Sequence, residues 1–328
     1  MQASGESGSG RLLQYAAVLI LAITLNFALP RLMPGNPLAL LAGVDVGLLS
    51  ADERAEIMAA AGLDQPLYKQ YVAYWGDLLR GDLGYSYRQK RPIAEMLAQR
   101  LPWTLLLAGS ALVLSTVLGS VLGALSAWRR ASPLDTSLLW SMIGLNSLPS
   151  FWLGMLFIAV FAVRLGWLPA QGAVTPAAQL TGGQQALDIV RHAILPVLTL
   201  SLLSMPDLYL TVRYTLLDVI GEDFVRTATA KGLGRSRILF GHVLPNAAPP
   251  IVTMAALRLG YAFGGSVVIE TVFSYPGLGR LIFEAVGSRD YPVMQAAFLL
   301  FTVAVLLSNI LADLLYRRLD PRLGGMRR

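Results

Sequence analysis

Asp207 and Arg258 are ionisable residues set inside stretches that are otherwise apolar. A lone charge near a bilayer centre costs roughly 2.5–3.5 kcal/mol on insertion scales, so such a group faces a protein interior and finds a partner. Two uses fit these residues. They can form a buried ion pair that joins the segments carrying them. Alternatively, Arg258 can point into a solute path and meet an anionic group such as a carboxylate. Depth favours the pair. The segment with Asp207 is centred near Met205 and the one with Arg258 near Tyr261, and they run in opposite directions. At about 1.5 Å rise per residue, both charges fall to the same side of centre. Arg213 lies closer to that surface, where it can reach water. Glu270 stands 12 residues beyond Arg258, about 18 Å by that rise. It cannot be the partner, and it reads as structural or path-lining.

The remaining inventory excludes most catalysis. With no cysteine, the chain offers no disulfide, thiolate metal site or cysteine nucleophile. Its two histidines, His192 and His242, are far apart and lack metal-ligand spacing. Only Lys69, Lys90 and Lys231 among the 26 basic residues are lysines, and none lies in G-x-x-x-x-G-K-[ST]. No catalytic, cofactor-binding or metal-binding residue is expected. If the process needs ATP, another chain must hydrolyse it.

These charges need elements to hold them. Of the 328 residues 55% are apolar and 14% charged, against about a quarter charged in soluble domains. This composition argues for one all-α membrane domain. A span needs about 20 mostly apolar residues. Six stretches qualify: 12–32, 101–128, 135–163, 192–216, 249–273 and 292–316. The first is too long for a signal-peptide core and lacks a small-residue cleavage site, so it reads as a retained helix. Pro149 removes one backbone hydrogen bond inside the third span and predicts a kink there. A kink at that depth can shape a cavity or be a static bend.

Basic residues set the orientation. With residues 1–11 and 317–328 cytoplasmic, the cytoplasmic segments hold 13 basic residues and the two short outer loops hold four. The long segment 33–100 then lies outside. Ser50-Ala51-Asp52-Glu53 reads as a capping box opening a helix that Gly62 stops. Pro66 starts a second helix, with Leu67, Tyr71, Tyr74 and Leu78 near helical spacing, and Gly81 ends it. Arg91-Pro92 leads into a third short helix before Pro102. Residues 52–100 and the turn from Tyr275 to Gly279 are expected to face outward as a docking surface. The simpler alternative for 33–100 is a cap shielding helix ends.

The cytoplasmic loop 217–248 is the most informative stretch. It reads as a helix from Asp223 to Lys231, a turn at Gly232, and a second helix reaching His242 and Pro245. Acidic Glu222 and Asp223 at one end and Lys231 at the other suit the helix dipole. Small Thr227, Ala228 and Ala230 leave room for another protein to approach. A solvated helical hairpin is the bland alternative.

This loop resembles the EAA loop of ABC importer permeases, whose pattern is E-A-A-x-x-x-G, nine residues, then I-x-L-P. Arg226, Thr227 and Ala228 take the first three positions, Gly232 the glycine, and His242-Val243-Leu244-Pro245 the end. The Arg and His replacements look like those of the dipeptide, oligopeptide and nickel-type subfamily. Similar signatures run along the chain: Met33 to Pro37, Gly81 to Ser86, Ser147 to Gly154, Glu270 to Gly279, Arg289 to Pro292 and Asp320 to Arg322. Asp207 and Arg258 depart from that subfamily, where these positions are usually uncharged.

The resemblance implies a permease subunit with six transmembrane helices in a bacterial or archaeal inner membrane. Its implied partners are a sibling permease forming a heterodimer, two ATPase subunits that hold ATP and Mg, and an extracytoplasmic substrate-binding protein. No nucleic acid is expected. Di- or oligopeptides lead as substrates, with nickel chelates, opines and glycosides as alternatives. An ion-coupled secondary transporter is the competing class. Such proteins often show two related halves, and no convincing internal repeat is visible here. An intramembrane enzyme would need a motif within the spans that the sequence lacks.

Overall fold

The structure is a computed structural model and describes residues 8–32, 50–60 and 64–319. Twelve α-helices among these residues carry the fold, with one short hairpin. We number them α1 (Gly8–Leu32), α2 (Ala51–Ala60), α3 (Leu67–Leu79), α4 (Ile93–Trp128), α5 (Pro133–Asn146), α6 (Ser150–Phe157), α7 (Gly183–Gly221), α8 (Asp223–Ala230), α9 (Arg235–Ile238), α10 (Leu244–Val272), α11 (Leu278–Ser288) and α12 (Tyr291–Leu319). Strands β1 (Tyr85–Ser86) and β2 (Arg91–Pro92) pair antiparallel. Among the described residues four helical stretches are long and apolar enough to cross a membrane: Ile93–Trp128, Gly183–Gly221, Arg235–Ala255 and Tyr291–Leu314. The pair Pro133–Asn146 and Ser150–Arg164, bent at the break between them, counts as a fifth where the two are taken as one span, and α1 holds a shorter apolar run, Leu13–Ala28.

Contacts divide the chain into two compact units, Met1–Pro102 with Pro276–Leu306, and Trp103–Tyr275 with Leu307–Arg328. In the first unit the capping box forms as read. The Ser50 backbone N–H donates to Glu53 Oε2 at 2.8 Å, and the Glu53 N–H donates to Ser50 Oγ at 3.2 Å. The Ser50 N–H and, at 2.8 Å, the Ser50 hydroxyl both donate to the Glu53 carboxylate and hold it below the usual carboxylate range. The proposed stop at Gly62 and the motifs Met33 to Pro37 and Asp320 to Arg322 lie outside the described residues.

Helix α3 begins after Pro66, as its sequence predicts. Its tyrosines fasten to α1: Tyr71 Oη lies 2.7 Å from Thr24 Oγ1, and Asn26 Nδ2 donates to Tyr74 Oη at 3.2 Å. Arg31 stacks over Phe27 at 3.6 Å and donates to Gln70 Oε1.

The short helix expected before Pro102 is instead the start of α4, which runs unbroken through that proline. Pro102 removes one helical hydrogen bond. Against that loss, Ile93, Met96 and Leu97 are buried with Leu278, Leu281 and Val293. Such burial contributes about 1.5–3 kcal/mol per side chain, enough to keep the helix going. The motifs Gly81 to Ser86 and Arg289 to Pro292 meet here: Ser86 Oγ donates to Asp290 Oδ2 at 2.5 Å, with both residues fully buried.

In the second unit the third span is not a kinked helix. Helices α5 and α6 meet at 101°, and Pro149 caps the second with extended backbone, φ −62° and ψ 137°. The residue before a proline is pushed out of the helical region, so the chain breaks at Leu148 instead of bending. The turn from Tyr275 to Gly279 also corrects the reading that placed it on an outer docking surface. Tyr275 and Leu278 are fully buried. Tyr275 packs with Leu107, Leu195 and Ile269, and Trp103 meets its ring edge-on at 6.0 Å. Burial pushes its phenol up to about 12, and the nearby Glu270 carboxylate adds to the rise.

Helix α4 meets α7 through glycines. A Cβ on Gly123 would lie 2.7 Å from the Tyr209 carbonyl oxygen, and one on Gly119 would lie 2.9 Å from Leu208 Cβ. Glycines four apart let membrane helices approach this closely. Gly109 on the same helix has open space where its Cβ would stand. Overpacking costs typically about 1–3 kcal/mol. Gly123→Ala is therefore expected to lower the melting temperature of the purified protein, and Gly109→Ala to leave it unchanged or raised. Equal melting temperatures for the two variants would contradict the close packing.

Candidate functional site

Two regions bring the singled-out residues together. The first is the loop from α8 to the start of α10. Helix α8 spans only Asp223–Ala230, and its C-terminus closes with two backbone bonds. The Gly232 N–H reaches the Thr229 carbonyl at 2.9 Å, and the Leu233 N–H reaches the Ala228 carbonyl at 3.3 Å. That pair of bonds is a Schellman cap. It needs a left-handed residue at its centre, and Gly232 supplies φ +76°. Leu233 then packs beside Val225, Ala228, Ile238 and Val243, which are buried against Val212 and Leu216 of α7. The helix is thereby pinned to α7 on one face.

The other face is free. Asp223, Arg226, Thr227, Ala230 and Lys231 are exposed, and among the described residues Arg226 pairs only with Asp223 Oδ1, at 3.2 Å. Ala228 corrects the reading that placed it on an approachable surface. It is 5% exposed because it lies three residues after Val225, on the same inward face. His242 is half-buried and Pro245 exposed. The sequence reading gave no role to Phe224 and Phe240, which are 41% and 69% exposed. Aromatic side chains exposed near Arg226, Arg235 and Arg237 in sequence suit a protein interface. An apolar residue out of phase with the buried Val225 and Ala228 was the available signal.

The second region is a cavity of about 290 Å³. Its walls include Ala111 and Leu112 of α4, Leu203 and Ser204 of α7, and Arg258 of α10. Leu148 and Ser150, which flank Pro149 at the α5–α6 break, also line it. Arg258 is the one charged group among the described residues in this lining, and its Nη2 donates to Asp207 Oδ2. The two side chains remain 25% and 37% exposed. Arg258 thus both pairs with Asp207 and lines this cavity. Glu270 is elsewhere: it is fully buried and accepts from Thr104 Oγ1 at 2.8 Å.

A polar cluster that the sequence reading missed lies within this unit. The sequence predicts Arg213 within reach of water, yet its side chain is 11% exposed and forked onto Asp135, itself 5% exposed. Arg213 Nε donates to Asp135 Oδ1 at 2.8 Å, and Nη2 donates to Oδ2 at 3.0 Å. The Ser126 hydroxyl also donates to Asp135 and lies 2.6 Å from Tyr209 Oη. The Ala131 N–H adds a bond to Asp135 Oδ2 at 3.0 Å. Nothing local in sequence links Asp135 to Arg213. They meet because α5 packs beside α7.

The sequence profile of the binding-protein-dependent transport system inner membrane component matches residues 119–325. The chain is 39% identical over 312 residues to the glutathione transport system permease protein GsiC of Escherichia coli, covering 95% of this chain and 96% of that one. It is 38% identical over 308 residues to the oligopeptide transport system permease protein AppB of Bacillus subtilis, covering 93% and 95%. Among solved structures, a chain of the inward-facing MetNI methionine ABC transporter is similar, with a TM-score of 0.56 at 20% identity. That likeness covers 69% of this chain and 96% of that one. A chain of an amino acid ABC transporter gives 0.51 at 16% identity, covering 68% and 94%. The two structural likenesses concern the fold.

Proposed function

Since the chain belongs to the family of binding-protein-dependent transport system inner membrane components, we propose that it forms half of the translocation path of an ATP-driven importer for di- or oligopeptides. The chain is a non-catalytic membrane component. A sibling permease forms the other half as a heterodimer. Two cytosolic ATPase subunits hold ATP and Mg, and a binding protein delivers substrate from outside. Both termini lie in the cytoplasm.

The observation that carries this reading is α8, pinned to α7 by Val225 and Ala228 and exposed on its other face at Arg226, Thr227 and Lys231. A short helix rooted in a membrane-spanning helix transmits a push. ATP binding that closes the ATPases would move α8, and α7 and α10 would follow. Phe224 and Phe240 would be the apolar anchors of that contact. Relatives that carry glutathione and oligopeptides support the peptide class. Nickel chelates, opines and glycosides are the alternatives within the same role.

The test is uptake by liposomes holding both permeases and both ATPases, with binding protein outside and a labelled tripeptide. Uptake is expected to require ATP and to vanish when the ATPases are omitted. Uptake driven by a proton or sodium gradient without ATP would favour a secondary transporter instead.

A further inference from the structure

We infer that Arg258 receives the carboxylate of the passing substrate, and that Asp207 holds and moderates it. This rests on the peptide reading above and goes beyond it, by naming the group recognised and the residue that recognises it. Three observations carry the inference. Arg258 lies in the wall of a cavity whose other described lining is uncharged. A guanidinium has five N–H donors, and the contact to Asp207 uses Nη2 alone. The remaining donors belong to a group that is one quarter exposed. In a mostly apolar cavity a charge-assisted hydrogen bond is stronger than in water, so a carboxylate entering it has Arg258 as its one charged partner in the described lining.

Asp207 explains why such a group would leave again. Conduction requires binding favourable enough to enter and weak enough to release. An unopposed Arg258 would trap an anion. Paired, it is close to neutral, and a substrate carboxylate must exchange with Asp207 for the guanidinium. Asp207 is 37% exposed, so it is not sealed among apolar side chains when the guanidinium turns to the substrate. The cavity's size sets how much of the substrate is read. At about 290 Å³ it falls at the lower end of ligand pockets, roughly 300–1,000 Å³. It fits the carboxyl-terminal end of a peptide and not an entire oligopeptide.

The native chain contains no cysteine, so Ser204→Cys places a single thiol in this chain, in the cavity wall. In the full complex, its modification rate is measured with an anionic sulfonatoethyl and a cationic trimethylammonioethyl methanethiosulfonate. The ratio of the two rates reads the local charge. Arg258→Gln is expected to lower the anion-to-cation ratio by at least roughly tenfold, and Asp207→Asn to raise it several-fold. A tripeptide with a free carboxylate should slow modification, and its C-terminal amide should not. Ratios unmoved by either substitution, equal protection by acid and amide, or no modification at position 204 would each overturn the inference. The Asp207→Asn arm decides if Arg258→Gln does not fold. Peptide uptake by the unsubstituted complex is measured separately. Its absence would count against the peptide reading, while the charge ratio would still judge Arg258.

Discussion

Asp135→Ala and Arg213→Ala are each expected to destabilise the protein strongly, and the double variant to recover part of the loss. Both side chains are nearly fully buried, and the fork between them is bidentate at 2.8 and 3.0 Å. Removing one member strands the other charge, which typically costs about 3–5 kcal/mol, whereas removing both relieves that penalty. The bonds from Ser126 and the Ala131 N–H to Asp135 temper the Arg213→Ala loss, since the stranded carboxylate keeps two donors. Melting curves of the detergent-solubilised wild-type, single and double variants provide the cycle. Additive losses would show that the pair does not stabilise α5 against α7.

Gly232→Val is expected to abolish most transport while leaving membrane insertion intact. Gly232 has φ +76°, and no atom lies within 4 Å of where its Cβ would stand. The penalty is therefore one of backbone conformation alone. Left-handed backbone costs roughly 1–2 kcal/mol for an ordinary residue, and a β-branched one is a genuine outlier there. The bonds from Gly232 to Thr229 and from Leu233 to Ala228 would open, and α8 would lose its fixed angle to α7. Gly232→Asn should retain much of the transport, because asparagine tolerates this conformation. Uptake and basal ATP hydrolysis are measured side by side. Uptake should fall in Gly232→Val while hydrolysis continues. Full uptake by that variant would show that the turn is not part of coupling.

Much of the fold was legible because membranes impose few solutions. Long apolar runs must be helical in hydrocarbon, and the helices Gly183–Gly221 and Tyr291–Leu319 enclose the spans read at 192–216 and 292–316. Local chemistry was legible too. The capping box at Ser50, the proline start of α3 and the left-handed turn at Gly232 each depend on a few adjacent residues. The helix, glycine turn and second helix within 217–248 could be read for the same reason, since they depend on one short stretch.

What lay beyond reach depended on partners distant in sequence. Ala228 looked available for another protein, because only the packing of α8 on α7 turns it inward. The turn from Tyr275 to Gly279 looked like surface until Leu107 and Ile269 were found against Tyr275. Pro149 announced a disturbance but not its size. A 101° break requires that the backbone groups freed there find other partners, which sequence does not list. By itself the sequence determined which segments are helical, where charges enter them and where the chain turns, because hydrogen bonding and hydrophobicity act over a few residues. Depth along the two spans already points from sequence to Asp207 with Arg258, and the structure has that contact. Only the tertiary structure joined Asp135 to Arg213, because that meeting is set by the register between neighbouring helices, and the register is fixed by side-chain packing summed over whole helix faces.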